Sequence, residues 1–403
     1  MGTDGAMLHS RGPTTSTPED TLNTTLHRST VRRPRAGFGL GRLAVVVLGA
    51  LLLTGHAHSQ GSDEDVSTWL RDGSFYYAQG DCALSQYFYQ EALKRDPENV
   101  VAMVGKGRAL SCQGAFGSAV ETFREAIAAD GSYVPGYVQL ALAYQNQYVA
   151  DPLTFASRLA DAIEVLEQAE GIAPDDATVK NTKGIIYYEA GDLEQARAAL
   201  EAAVEFAAAS ELTERERSVI QVNLGRAYRD QGQLELAQTA FRRAVVLDPA
   251  SASAHNNLGH VNFRLGDCSA AEYELSQAVS LAPASLSAVS QLAIVLFECG
   301  DVAGSIPHFE LALTLDGAVF APPLYTYLSR AYLEQGRIED ALRRAQQGAL
   351  LPPESAEAHF HLGRAYVARN AAGDDEAARR AFERALELDP AFGEARSALD
   401  ALR

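Results

Sequence analysis

The sequence lacks the short motifs that carry catalytic chemistry. It has no glycine-rich phosphate loop after a strand, no GxSxG nucleophile elbow and no HExxH helix. His359 and His361 stand two residues apart on a predicted helix, which points them to different sides and disfavours a two-histidine metal site. Acidic residues are numerous but scattered, as on solvated surfaces. We therefore expect no enzymatic activity, no cofactor and no small-molecule substrate.

Basic residues are also scarce. Lys and Arg total 34 against 52 Asp and Glu, which gives a formal net charge of −18 at pH 7. Nucleic acids and anionic lipid surfaces are themselves negatively charged, so neither is an expected partner. The simpler interpretation of this charge is that it keeps a large surface soluble.

The N-terminal part differs in composition from the rest. Residues 1–30 are rich in Thr, Ser and Pro without an apolar period, and are predicted to be disordered or, if Val31 is the true start, not translated. Residues 31–59 place several Arg before the apolar run 43–55 and a small-residue site before Gln60, the order of a secretory signal peptide. Residues 60–65 would be a short linker.

This leader predicts an exported protein, periplasmic or extracellular. The apolar run 43–55 is shorter than the roughly 20 residues of a spanning helix. A membrane anchor through 43–55 is the alternative, and the protein would meet a membrane only if the signal stays uncleaved. The choice between Met1 and Val31 as the start is left open.

Small residues recur at a nearly constant period through the rest of the chain, and such self-similarity indicates a repeat architecture. The intervals between them are 34, 34, 43, 41, 34, 34, 36 and 34 residues. The recurring positions are Gly73, Gly107, Ala141, Gly184, Gly225, Gly259, Ala293, Ser329 and Gly363.

Turn signals divide each period into two helices. A Gly follows the small residue in seven units, as in the GDC and GDL segments, where it can end one helix and the next residue can cap another. A Pro closes many units, as at Pro249 and Pro283. The expected unit is helix, tight turn, helix, which makes the fold class all-α.

The segments LGRAYRDQGQLELAQTAFRRAVVLDP and LGHVNFRLGDCSAAEYELSQAVSLAP resemble tetratricopeptide repeats. The resemblance implies a right-handed superhelical solenoid of helix-turn-helix pairs, closed by a C-terminal capping helix at 393–403. A stack of Sel1-like or HEAT helices is the alternative, which the prevailing 34-residue period disfavours. The nine predicted repeats are 66–99, 100–133, 134–176, 177–210, 218–251, 252–285, 286–319, 322–355 and 356–392.

In tetratricopeptide folds the first helix of each pair lines a concave groove, so the resemblance implies which side chains a ligand would meet. Amides there are similar to the asparagine ladder with which some such proteins hold a peptide backbone. Interleaved Arg and aromatic residues suit an extended peptide with acidic or aromatic side chains. The alternative is internal pairing, for example of Arg226 with Asp230. The predicted groove residues are Asn223, Arg226, Arg229, Asn256, Asn257, His260, Phe263, Arg264, Gln291, Phe297 and Arg330.

Lysine is rare, with only Lys94, Lys106, Lys180 and Lys183 in the chain. The resemblance therefore does not extend to the lysine-containing clamp of cytosolic chaperone co-factors. The predicted function is an exported scaffold or adaptor that binds protein or extended peptide segments, in bacterial envelope or cell-surface assembly. A self-associating structural array, or a membrane-anchored repeat protein without a peptide ligand, is the alternative.

The four cysteines occupy equivalent places in two pairs of neighbouring repeats. In a tetratricopeptide stack the second helix of one repeat packs on the first helix of the next, which brings Cys82 near Cys112 and Cys268 near Cys299. Oxidising compartments allow such thiols to pair. We predict these two disulfides, with small buried free thiols as the alternative.

Overall fold

The computed structural model describes residues 66–315 and 322–402. This part of the chain contains nineteen α-helices and no β-strand, so the predicted all-α fold is confirmed. Its residues divide into two compact units, 66–250 and 251–402. The predicted extension 1–30, signal peptide 31–59 with its apolar run 43–55, and linker 60–65 lie outside the described residues.

The first unit is a series of helix pairs, in which the two helices of a pair contact each other and the second contacts the first helix of the next pair. The five pairs correspond to the first five predicted repeats, except that the ninth helix begins at Glu214, before the predicted start of the fifth repeat at 218. The helices are α1 Val66–Ala78, α2 Cys82–Arg95, α3 Val100–Cys112, α4 Phe116–Ala129, α5 Val134–Ala150, α6 Arg158–Ile172, α7 Ala177–Glu189, α8 Leu193–Ala207, α9 Glu214–Asp230 and α10 Leu234–Leu247.

The second unit has the same pairing and ends in a single helix. Its helices are α11 Ala252–Arg264, α12 Cys268–Leu281, α13 Leu286–Glu298, α14 Val302–Ala312, α15 Pro322–Glu334, α16 Ile338–Ala349, α17 Ala356–Arg369, α18 Asp374–Leu388 and α19 Gly393–Asp400.

Tight turns join the helices of a pair at glycines with a left-handed backbone. Gly80 has a φ of 76°, which a side chain would disfavour, and the following amide of Asp81 donates to the carbonyl of Tyr76 at 2.9 Å. The Asp81 carboxylate then accepts from the amide of Leu84 at 3.0 Å and caps α2. The other predicted turn glycines also have positive φ, namely Gly114, Gly191, Gly232, Gly266, Gly300 and Gly336.

The lengthened connection before the fifth pair is built around a capping box. The amide of Thr213 donates to the Glu216 carboxylate at 2.9 Å, and the amide of Glu216 donates to the Thr213 hydroxyl at 3.3 Å. This reciprocal pair satisfies backbone donors that a helix start leaves open. The helix that starts here, α9, has 17 residues.

Small residues of the first helices lie directly against large side chains of the second helices. A Cβ atom added at Gly225 would lie 2.6 Å from the ring of Phe241, which is completely buried. Phe123 and Phe382 would meet added Cβ atoms at Gly107 and Gly363 in the same way. Glycine lets the helix backbone approach the ring closely, which accounts for the recurring small residues.

The last helix covers the end of the second unit, as predicted for a capping helix. Ala395 of α19 is fully buried. The ring of Phe392, just before α19, lies 5.0 Å from the ring of Phe360 on α17. Contact between α18 and α19 thus closes the apolar side of the last pair.

Both predicted cysteine pairings are present in the structure. Cys82 is bonded to Cys112 and Cys268 to Cys299, with Cα atoms 6.0 Å apart in each pair. Each bridge joins the start of a second helix to the end of the following first helix. The described part of the chain has no free cysteine.

Candidate peptide-binding faces

First helices of successive repeats contact one another within each unit. In the first unit α1, α3, α5, α7 and α9 do so in order, and in the second unit α11, α13, α15 and α17 do so. We call the two resulting surfaces the first-helix faces. Every predicted groove residue lies on one of these helices.

Arg226 of α9 stacks on an aromatic ring of the neighbouring first helix. Its guanidinium carbon lies 4.8 Å from the centre of the Tyr188 ring on α7. The Tyr188 hydroxyl donates a hydrogen bond to Asp230. Asp230 is held by Arg229, whose Nε donates to it at 2.6 Å, and not by Arg226. Within the described residues no carboxylate oxygen lies at ion-pair distance from Arg226.

Arg229 does not lie on the ligand-facing surface, contrary to the sequence prediction. It is 7% exposed, so it is buried beneath the face and cannot contact a ligand there. Burial works against the charge of Asp230, but the hydrogen bonds and charge of Arg229, with smaller contributions from the Tyr188 hydroxyl and the charge of Arg226, outweigh it and lower the pKa of that carboxyl. Burial, with the charge of Asp230, raises the pKa of Tyr188. Asp230 therefore stays ionised and Tyr188 neutral near pH 7.

Asn223 makes an amide contact between neighbouring first helices. Its Nδ2 donates to Oδ1 of Asn181 on α7 at 3.0 Å, and both side chains are partly exposed. Two paired amides retain further donors and acceptors beyond the bond that they share. Asn223 and Arg226 are thus brought together with Asn181 and Tyr188, two residues absent from the predicted groove set.

The stack of an Arg on an aromatic ring recurs between other neighbouring repeats. Arg108 lies 4.3 Å from the Tyr77 ring and Arg330 lies 4.7 Å from the Phe297 ring. In each case the Arg follows the small residue of its own helix, and the ring stands four residues after the small residue of the preceding first helix. The pairing was not among the sequence predictions, although a comparison of those two positions between neighbouring repeats indicates it.

The predicted residues on α11 are only partly engaged with a neighbouring first helix. Asn256 Nδ2 lies 3.5 Å from the Ser287 hydroxyl on α13, whereas Asn257 Nδ2 donates to the carbonyl of Ser253 in its own helix at 2.8 Å. His260 is half-buried, Phe263 packs against the apolar cluster around Leu275, and Arg264 is exposed at the helix end.

The prediction of Gln291 and Phe297 of α13 as groove residues is also wrong. They are 9% and 6% exposed, so both side chains belong to the interior of the second unit. Arg330 covers the ring of Phe297 and lies 5.0 Å from that of Tyr327. Its Nη1 is 3.5 Å from a carboxylate oxygen of Glu298, so Arg330 is paired internally.

Beside Arg330 lies a buried histidine. Burial, with the charges of Arg330 and Arg364, lowers the pKa of His361 to about 3. Burial raises the pKa of Glu357, although the charge of Arg330 opposes this shift. His361 is therefore neutral near pH 7, and the positive charge of this region comes from the two arginines.

Within residues 66–315 and 322–402, no three or more His, Cys, Asp or Glu side chains are grouped so that they could hold a metal ion. None of the helices in this part is long and apolar enough to cross a membrane.

Paired helices, left-handed glycine turns and first-helix faces define an all-α helical-repeat protein. Family models described as TPR repeat or tetratricopeptide repeat match residues 71–134, 156–213, 225–266 and 328–391, which together make up more than half of the chain. The chain belongs to the tetratricopeptide repeat proteins.

Three proteins that this chain is similar to share 14% to 24% sequence identity with it. Anaphase-promoting complex subunit CDC16 of Saccharomyces cerevisiae is 24% identical over 211 residues, which are 52% of this chain and 24% of that protein. This chain therefore corresponds to about a quarter of that relative. Pseudomonas aeruginosa pilF is 19% identical over 56% of this chain and 97% of its own, with a TM-score of 0.48. A chain of the APC/C hetero-tetramer Cut9-Hcn1 is 14% identical over 96% of each chain, also with a TM-score of 0.48.

Proposed function

We propose that this protein is an exported, non-enzymatic scaffold that binds extended peptide segments of other proteins on the first-helix face of its first unit. The observation that carries the proposal is the guanidinium of Arg226, stacked on Tyr188 and free of a carboxylate partner among the described residues. The yeast relative is a subunit of a complex, which supports a role in protein assemblies.

The chemistry of this face favours an acidic peptide. The ring of Tyr188 limits the motion of the Arg226 side chain, and a held guanidinium can donate two parallel hydrogen bonds to a carboxylate. The neighbouring Asn181 and Asn223 amides can bond to a peptide backbone, which exposes both donors and acceptors. In a chain of net charge −18, Arg226 offers such a ligand a local positive site.

A binding experiment separates this face from general charge attraction. Peptides would be selected from a randomised displayed library, then synthesised with Asp and Glu or with Asn and Gln at the same positions. We expect Arg226→Ala to weaken binding of the acidic peptides by about 1.5–3 kcal/mol, roughly 10- to 150-fold. Fluorescence anisotropy would measure the dissociation constants.

The matched control is Arg243→Ala. Arg243 is an exposed arginine on the adjacent second helix α10, so this substitution removes the same charge outside the proposed site. It should leave the affinity nearly unchanged. Equal affinities for acidic and amide peptides, or equal losses in the two variants, would contradict the proposed site.

Export to the periplasm or the extracellular space is proposed from two independent features. The leader 31–59 has the order of a signal peptide, and both disulfides pair cysteines that an oxidising compartment would keep bonded. The proposed setting is bacterial envelope or cell-surface assembly, with a membrane anchor through 43–55 as the alternative.

Processing of the leader is directly measurable. Intact-mass analysis of the protein purified from expressing cells would identify its N-terminus. We expect that N-terminus at or near Gln60, because the small-residue site precedes it. An Ala57→Arg substitution should block cleavage by placing a large charged residue in that site. Wild-type protein that keeps residues 43–55 and fractionates with membranes would instead favour the anchor.

A further inference from the structure

The N-terminal end of the first unit carries a continuous cluster of exposed and half-buried aromatic side chains. Phe75 is 56% exposed and Tyr87 is 52% exposed. The ring of Tyr76 lies 5.4 Å from Phe75 and 5.2 Å from Phe88, and Phe88 lies 5.4 Å from Tyr87. We call these four residues of α1 and α2 the aromatic end face. Exposed apolar patches of this kind mark interaction surfaces.

In all eight of the other repeats, the residue equivalent to Phe75 is buried. Phe75 stands two residues after the small residue of its helix, and its equivalents are 0 to 3% exposed. Inside the units these equivalents pack on the second helix of the preceding repeat, as Ala227 does on Leu200 of α8 and Val295 on Leu275 of α12. The aromatic end face is therefore shaped to receive a helix. The equivalents are Ala109, Ala143, Ile186, Ala227, Val261, Val295, Ala331 and Ala365.

The sequence directly before α1 offers no side chain suited to this place. Residues 56–65 read HAHSQGSDED and contain no large apolar residue. An aromatic surface is removed from water by apolar counterparts, which this acidic segment does not supply.

The distribution of charge indicates the occupant. Two copies of a chain with net charge −18 repel each other over most of their surfaces. Residues 73–90, which carry the aromatic end face, contain a single charged residue, Asp81, whose carboxylate caps α2. Two copies that meet there bring fewer like charges together than they would over the rest of their surfaces, and the Asp81 carboxylate is already engaged with the amide of Leu84.

We propose that the aromatic end face binds a second copy of this chain, with α2 of each copy packed over Phe75 and Tyr76 of the other. Leu84, Tyr87 and Phe88 lie on one stripe of α2, as a helix needs in order to pack by one face. The contact is isologous, so each interaction occurs twice around a twofold axis. The opposite end of the chain is already covered by α19. This dimer does not depend on the proposed peptide binding.

The first test compares two exposed tyrosines in equivalent positions. Tyr87 and Tyr273 both stand fourteen residues after the small residue of their repeat, and Tyr273 is 62% exposed. The protein would be purified from expressing cells, and mass spectrometry would identify its N-terminus. Analytical ultracentrifugation of this protein should show a monomer–dimer equilibrium. Tyr87→Glu should raise the dimer dissociation constant by roughly a hundredfold or more, because it loses an aromatic anchor and buries an unpaired charge. Tyr273→Glu should leave it unchanged.

A second test checks the reciprocal geometry. Phe75→Glu and Tyr87→Lys should each be monomeric, and their equimolar mixture should form a heterodimer in which the new charges meet at one of the two contacts. Mixing Phe75→Glu with Tyr273→Lys should not restore the heterodimer. Circular dichroism of each variant checks that helical content is retained.

Several results would overturn the proposal. They are a wild-type protein that stays monomeric at every concentration measured, a dimer equally weakened by Tyr87→Glu and Tyr273→Glu, and failure of the complementary mixture to pair while its members remain folded. A dimer that persists in Tyr87→Glu would likewise place the contact elsewhere.

Discussion

Phe241→Ala is expected to lower the free energy of unfolding by about 3–5 kcal/mol. Phe241 is completely buried, and its ring fills the space that Gly225 leaves between α9 and α10. Removing the ring loses its apolar contacts and leaves a cavity that the two helices close only in part. Urea unfolding followed by circular dichroism would measure the change. Leu236→Ala on the same helix is the control, because Leu236 is 50% exposed and should change stability by about 0.5 kcal/mol or less.

The same contact predicts coupling between Gly225 and Phe241. Gly225→Ala alone should destabilise the protein, since its new methyl group would lie 2.6 Å from the ring. In the Phe241→Ala background that clash is gone, so the same substitution should cost far less. A double-mutant cycle gives the interaction energy. Additive effects would show that the ring and the glycine do not constrain each other.

Loss of the first disulfide is the other large effect. Replacing Cys82 and Cys112 together with Ala should lower the free energy of unfolding by about 3–4 kcal/mol, the loop-entropy value for a closed loop of roughly 30 residues. Both cysteines are already within bonding reach, with Cα atoms 6.0 Å apart. The bond therefore mainly restricts the unfolded chain.

Denaturant unfolding with and without a thiol reductant measures this effect. Reductant should destabilise the wild type and leave a variant with all four cysteines changed to Ala unaffected. Thiol titration of the denatured, unreduced protein should find no free thiol. Four titratable thiols, or equal stability of wild type and double variant, would contradict the prediction.

Much of the helix-pair architecture could be predicted because it depends on local signals. A Gly such as Gly80 ends a helix wherever the left-handed conformation is required, and Thr213 with Glu216 specifies a helix start from four residues. The cysteine pairs were accessible because Cys82 and Cys112 have the spacing of touching ends in a regular stack. These features need only one repeat or two adjacent repeats.

The candidate site was less accessible because it depends on contacts across repeats of unequal length. Tyr188 and Arg226 are 38 residues apart, whereas Tyr77 and Arg108 are 31 apart, so the separation between ring and guanidinium varies with repeat length. The pair is recognised only when each residue is counted from the small residue of its own repeat. Two arginines precede Asp230 in the sequence, Arg229 by one residue and Arg226 by four. Only the packing shows that Arg229 forms the ion pair with Asp230. Burial of Gln291 and Phe297 likewise depends on neighbouring helices.

The bridge between Cys82 and Cys112 changes how the first repeat can fray. A terminal repeat has one neighbour, so it is the part of a stack that opens most easily. Here the start of α2 stays covalently attached to the end of α3 even when α1 and α2 come loose. The loosened helices are then tethered at high effective concentration to the surface that they left. Fraying at this end is therefore a local opening, after which α1 and α2 pack again rapidly on the rest of the first unit.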